Sequence, residues 1–128
     1  MQDSKLFVIF NNEPILEFDR SKPVPGHQRR YLDKMDERMD QGIQLGDSFI
    51  ETPNALQRSQ FVANSLVNFL LKENYDRAIA MCTFLGKRMP ELQQIKCEGS
   101  EGDEGGISIE FVYDRSYETA QQEQTIQF

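Results

Sequence analysis

Between Arg20 and Arg30 the chain gathers its only histidine, His27, with the bases Arg20, Lys22, Arg29 and Arg30. Guanidinium forks suit carboxylate and phosphate oxygens, so His27, Arg29 and Arg30 form a candidate anion contact. No Gly-rich phosphate loop stands beside them. The plainer reading of the same residues is a solvated helix start with local ion pairs. A nucleophile–base pair would also have to use His27, which follows Pro25-Gly26 at the exposed start of a helix. Cys82 falls on an apolar helix face, where thiols are inert. There is no Cys-x-x-Cys, His-Glu-x-x-His, nucleotide loop or Gly-x-Ser-x-Gly. Paired carboxylates can do acid–base work without histidine, but no spacing singles out a pair. Catalysis is therefore left open but not expected, and no cofactor is expected.

Two groups of acids invite a metal reading. Asp33, Asp36, Glu37 and Asp40 belong to one helical segment, from which carboxylates radiate instead of converging. Glu98, Glu101, Asp103 and Glu104 lie in a Gly-rich stretch, but their spacing is not that of the alternating-ligand calcium loop. A solvated helix face and a mobile hairpin tip are the expectations, with no metal.

Charge narrows the partners. The net charge is −7. Residues 1–54 carry 10 acids and 7 bases, residues 55–96 carry 3 and 6, and residues 97–128 carry 8 and 1. Acidity concentrated in the last quarter argues against nucleic acid and against anionic membranes, both of which need a positive field. No run of about eighteen apolar residues exists to span a bilayer. The start, Met1-Gln-Asp-Ser-Lys, lacks the basic and apolar regions of a secretion signal. With two cysteines, Cys82 and Cys97, read as free thiols, the expected location is the cytoplasm.

The elements that must position these groups follow from apolar spacing. Thr52 to Glu91 reads as a helical hairpin holding the densest apolar run. Thr52 and Pro53 suit a helix start. Leu56, Phe61, Val62, Leu66, Phe69 and Leu70 recur at helical spacing, with Arg58 on the wetter face. After Lys72-Glu73-Asn74, a second apolar face runs through Ala78, Ile79, Met81, Cys82, Leu85 and Met89, with Phe84 at its edge, and Pro90 stops it. An earlier helix spans about His27 to Gln41 and ends at Gly42, with a narrow stripe of Tyr31 or Leu32, then Met35, Met39 and Ile43. Leu6–Phe10 and Ile15–Phe18 read as strands joined through Asn11-Asn12, residues that tolerate positive φ. The first is apolar on both faces, which implies burial on both sides or a partner on one. The pieces around Gly46-Asp47 suggest a small hairpin or a pinned loop. Leu92–Cys97 can form a strand. Ile107–Tyr113 alternates as a half-buried strand with Ile107, Ile109, Phe111 and Tyr113 inward.

Beyond Asp114 the chain turns polar and Gln-rich until Ile126 and Phe128. The end, Gln124-Thr-Ile-Gln-Phe128, resembles the short Gln-x-aliphatic-x-aromatic peptides with which some proteins dock on the bacterial sliding clamp. It departs from them in lacking the adjacent aliphatic–aromatic pair.

The expected fold is α+β in the order ββ-α-(β)-αα-ββ: an antiparallel sheet of two hairpins packed against the helical hairpin plus one further helix. One domain is expected over residues 1–114, with a flexible polar tail over 115–128. The expected function is a small protein-interaction module (adaptor, chaperone-like or regulatory subunit) contacting a protein partner or a second copy through Phe7, Ile9, Met35 and Met39. The alternative is an anion- or small-ligand-binding protein, or an enzyme, using His27, Arg29 and Arg30.

Overall fold

The chain is α+β. A computed structural model describes residues 5–99, 106–113 and 117. In order the elements are β1 (Lys5–Phe10), β2 (Glu13–Asp19), α1 (Gly26–Met39), β3 (Ile43–Leu45), β4 (Ser48–Ile50), α2 (Ala55–Leu71), α3 (Tyr75–Arg88), β5 (Gln94–Glu98) and β6 (Ser108–Val112). They fall into two compact units, one from residues 1–21 with 89–128 and one from residues 22–88. Among the described residues no helix is long and apolar enough to cross a membrane.

The first unit holds a sheet in the order β2-β1-β5-β6. β1 and β2 form a hairpin whose turn residues Asn11 and Asn12 have φ of 50° and 70°. Two successive positive φ values give the turn whose twist matches antiparallel strands. Opposite Val8 stands Leu16, but opposite Ile9 stands Pro14, so Ile15 is a bulge residue on this edge strand. Pro14, which lacks an N–H, fits an edge position.

The expectation of an antiparallel sheet is corrected at one joint. β1 pairs with β5 in parallel, Phe7 opposite Gln94 through Phe10 opposite Cys97, so the sheet is mixed. The physical reason is in β1 itself. Leu6, Val8 and Ile9 are all buried, so the strand belongs in the interior of a sheet, with a neighbour on each edge. β2, with Glu13 and Glu17 exposed, suits the rim. A chain that leaves along β2 and returns beside β1 through helices arrives parallel to it. β6 also departs slightly from its expected alternation: Val112 is buried and Tyr113 is exposed. Val112 stands opposite Gln94, and its carbonyl accepts the Gln93 N–H at 2.8 Å.

Two side chains tie this sheet together. Asn11 Nδ2 donates to the Gly99 carbonyl, and the Gly99 N–H donates back to Asn11 Oδ1, both at 2.9 Å. Gly99 has φ +126°, and a Cβ there would stand 2.6 Å from the Gly106 carbonyl oxygen, so the position accepts only glycine. Arg20 donates through Nη2 to the carbonyls of Met89 and Leu92 at 2.9 and 2.6 Å. It is thus a clamp on the segment leading to β5.

Cys97 in β5 is buried, and burial pushes its thiol from 9.0 up to about 11. The fold therefore favours the protonated form. Because the folded pKa is the higher one, this contribution is full below pH 9 and is lost as pH rises toward 11. Denaturation midpoints should fall across that window, and Cys97→Ala should flatten the fall. A wild-type curve as flat as that of the variant would contradict the assignment.

The second unit is helical, with β3 and β4 as a two-stranded hairpin, Ile43 opposite Ile50. α2 begins later than Thr52-Pro53 predicts. Asn54 Oδ1 accepts the Gln57 N–H at 2.8 Å and Gln57 Oε1 accepts the Asn54 N–H at 2.9 Å, a reciprocal capping box. Two satisfied donors outweigh a threonine cap, so Ala55 is the first helical residue. α2 ends with Glu73 at φ 57°, its N–H on the Leu70 carbonyl and the Asn74 N–H on the Phe69 carbonyl. This left-handed close reverses the chain into α3 within three residues. The two helices form the expected hairpin, the most extensive packing within this unit.

Candidate functional site: the groove between α1 and α3

Helix α1 carries Asp33, Asp36 and Asp40 at spacings of three and four, which place them on one face. Asp33 and Asp40 are solvent-exposed and Asp36 half-buried, and all three also make ion pairs. Asp40 and Asp36 (Oδ1) pair with Arg58 of α2, the latter at 3.3 Å. Asp33 and Asp36 pair with Arg88 of α3 at 3.2 and 2.9 Å. Arg58 also donates to the carbonyls of Pro53 and Asp36. Its hydrogen bond to Asp40 raises its pKa above the ordinary value, desolvation opposes this, and the bond to Asp36 adds to the rise. Asp36 therefore holds two arginines from two other helices. The sequence had put Arg58 on the wetter face of α2; its partners lie on a different helix, which spacing along α2 cannot reveal.

Apart from this joint, α1 packs on α3 far more lightly than α2 does. The two helices leave an open groove of about 550 Å³. From α1 it is lined by His27, Gln28, Tyr31, Leu32 and Arg38, and from α3 by Asp76, Arg77, Ile79, Ala80 and Thr83. Leu32 is buried in its floor, and Ala80 is half-buried. Tyr31 and Ile79 keep 42% and 50% of their surface exposed and stand on opposite sides of the groove lining. Tyr75, one turn before Ile79, is exposed as well. Arg77 stands 5.9 Å over the Phe69 ring, which orders its guanidinium beside the groove. His27 and Arg38 are about 16 Å apart along α1 at 1.5 Å per residue. The polar groups are therefore strung along the groove and do not converge on one point.

The sequence-derived candidates separate on this geometry. His27 lines the groove, while Arg29 and Arg30 are exposed on α1 and lie outside its lining. α1 starts at Pro25 without a side-chain cap and without an acid in its first turn. Of the four expected partner contacts, Ile9 and Met39 are buried, and Met35 and Phe7 are half-buried. The Phe7 ring lies 5.4 Å from that of Tyr117. The stripe of α1 resolves in favour of Leu32, which is buried, leaving Tyr31 for the groove.

Ile79, Arg38 and Arg77 were not singled out by the sequence. Ile79 had been placed on the apolar face of α3, but it stands about 60° around the helix from Cys82 at 100° per residue, at the margin of that face. Phe84, about 160° from Cys82 on the same count, is buried all the same, with Arg88 5.4 Å over its ring. The marginal position of Ile79 was the available signal. Glu101, Asp103 and Glu104 of the acidic loop, and Gln124–Phe128 of the clamp-like peptide, lie outside the described residues. Among the described residues no group of three or more His, Cys, Asp or Glu is placed to hold a metal ion.

The chain matches no family model, no curated protein and no solved structure. The groove is therefore interpreted from its own geometry.

Proposed function

We propose that this chain is a small protein-interaction module without catalytic activity, and that the α1–α3 groove is where it takes a segment of its partner. The observation that carries this is the groove's shape and lining: elongated, open, apolar along its floor, with Tyr31 and Ile79 exposed on its walls. Grooves between helices receive apolar side chains of a docked segment, while a small-ligand site gathers its polar groups around one enclosed volume. Cys82 and Cys97 are both buried thiols not joined as a disulfide, which supports a reducing compartment, the cytoplasm.

Selection of short random peptides displayed on phage against the full chain tests this directly. Enriched peptides should bind the wild type and lose about tenfold or more in affinity to Ile79→Asp, which puts a charge on the groove wall at an exposed position. The variant should keep the wild-type thermal midpoint, because Ile79 is half exposed. Selection that yields no binder, or binders indifferent to Ile79→Asp, sinks the reading.

A further inference from the structure

Of the six arginines of the helical unit, Arg29 and Arg30 lie outside the groove lining, and the other four divide into two pairs. Arg58 and Arg88 are taken up by Asp33, Asp36 and Asp40. Arg38 and Arg77, both in the groove lining, form no ion pair among the described residues. Three and four residues either side of Arg38 stand Lys34, Met35, Gln41 and Gly42, so helical spacing supplies it with no acid. The single acid in the lining, Asp76, sits in the first turn of α3, where the helix dipole favours it. The groove thus presents two guanidiniums without an ion pair among the described residues, that of Arg77 over the Phe69 ring, and one histidine against one carboxylate, around an apolar floor.

From this charge complementarity we infer that the groove's occupant is an acidic segment of a partner protein, with carboxylates flanking the apolar side chains that fill the floor. This rests on the docking reading above and adds the chemistry of the partner. The apolar side chains occupy the space over Leu32 and Ala80 between Tyr31 and Ile79. The carboxylates meet Arg38 and Arg77, whose planar forks donate to both carboxylate oxygens. The spread of the polar groups along α1 demands a ligand with separated charges, which a peptide has and inorganic phosphate lacks. Like charges on a basic segment would face the same two arginines and be rejected.

The test uses two synthetic peptides of one length, alternating leucine or phenylalanine with glutamate in one and with lysine in the other. Fluorescence polarisation reads their affinity for the wild-type chain, Ile79→Asp, and the double variant Arg38→Glu with Arg77→Glu. The glutamate peptide should bind the wild type at least about tenfold more tightly than the lysine peptide, more weakly at high salt, and the double variant should reverse the preference. If charge reversal lowers the melting temperature, Arg38→Gln and Arg77→Gln replace it and should bring the two peptides level. A lysine peptide that binds the wild type as well as its counterpart overturns the acidic assignment. Where Ile79→Asp still weakens both peptides, the docking reading survives that failure; where it weakens neither, the docking reading falls too. Displacement of the glutamate peptide by inorganic phosphate, beyond chloride of equal ionic strength, would assign the arginines to a small anion and also overturn the proposal.

Discussion

Replacing Phe84 with alanine should cost the fold about 3–5 kcal/mol, the range for emptying a fully buried aromatic site. Phe84 is 1% exposed and is the largest fully buried side chain among the described residues. Two losses add: the transfer of a benzyl group out of water is forfeited, and the cavity it leaves is only partly filled by relaxation. The Arg88 guanidinium 5.4 Å from the ring also loses its aromatic platform. The matched control is Phe49→Ala. Phe49 has the same side chain but is 60% exposed on β4, so its removal should stay within about 0.5 kcal/mol. Urea unfolding followed by circular dichroism at the helix band measures both. Equal shifts in the two variants would mean that Phe84 is not packed as described.

The second large effect is expected at Asp36. Its two oxygens serve Arg58 and Arg88, so one carboxylate links three helices. Asp36→Lys places a third cation among those two and should destabilise by about 2–3 kcal/mol, less than a deeply buried pair would lose because the carboxylate is part-exposed. Asp36→Asn keeps the shape and one acceptor and should cost about 1 kcal/mol. Salt discriminates the cause. Repulsion between cations is screened, so the gap between the Lys and Asn variants should narrow as ionic strength rises. A gap unaffected by salt would point to packing as the cause. Asp33→Asn, at the outer end of the network and paired only with Arg88, should do least.

Much of the fold could be read from residue spacing, because the spacing and the cause coincide. The helices followed from apolar recurrence, and the first turn from two asparagines that tolerate positive φ. The small hairpin around Gly46 was one of two readings, since three-residue strands are too short to show a period. What escaped the sequence were relations between elements. The capping box needed the Asn54–Gln57 pair to be weighed against Thr52-Pro53. The parallel joint needed the buried face of β1 to be matched with a strand far along the chain. The groove needed both of these kinds of information. Ile79 looks like core on its own helix, and Arg38 looks like one charge among many on α1. Only the departure of α1 from α3 makes Ile79 exposed, and only the groove's lining sets Arg38 apart from the other charges of α1. His27 was noticed for its basic neighbours, yet the groove includes it without Arg29 or Arg30.

The parallel joint between β1 and β5 also sets an order of events. The β1–β2 and β5–β6 hairpins pair strands that are near in sequence, but β1 must wait for residues 20–93 before it meets β5. Closing a flexible loop of that length costs on the order of 4 kcal/mol in chain entropy, and collapse of the intervening helices shortens the search. The sheet is therefore a late event in folding, since β1 precedes its partner β5 by most of the helical unit. β1, apolar on both faces, emerges before β5 and must remain unpaired on one edge until β5 follows it. During that interval its Leu6-Phe-Val-Ile-Phe10 backbone is open to other strands, and newly made chains are at greatest risk of sticking to one another.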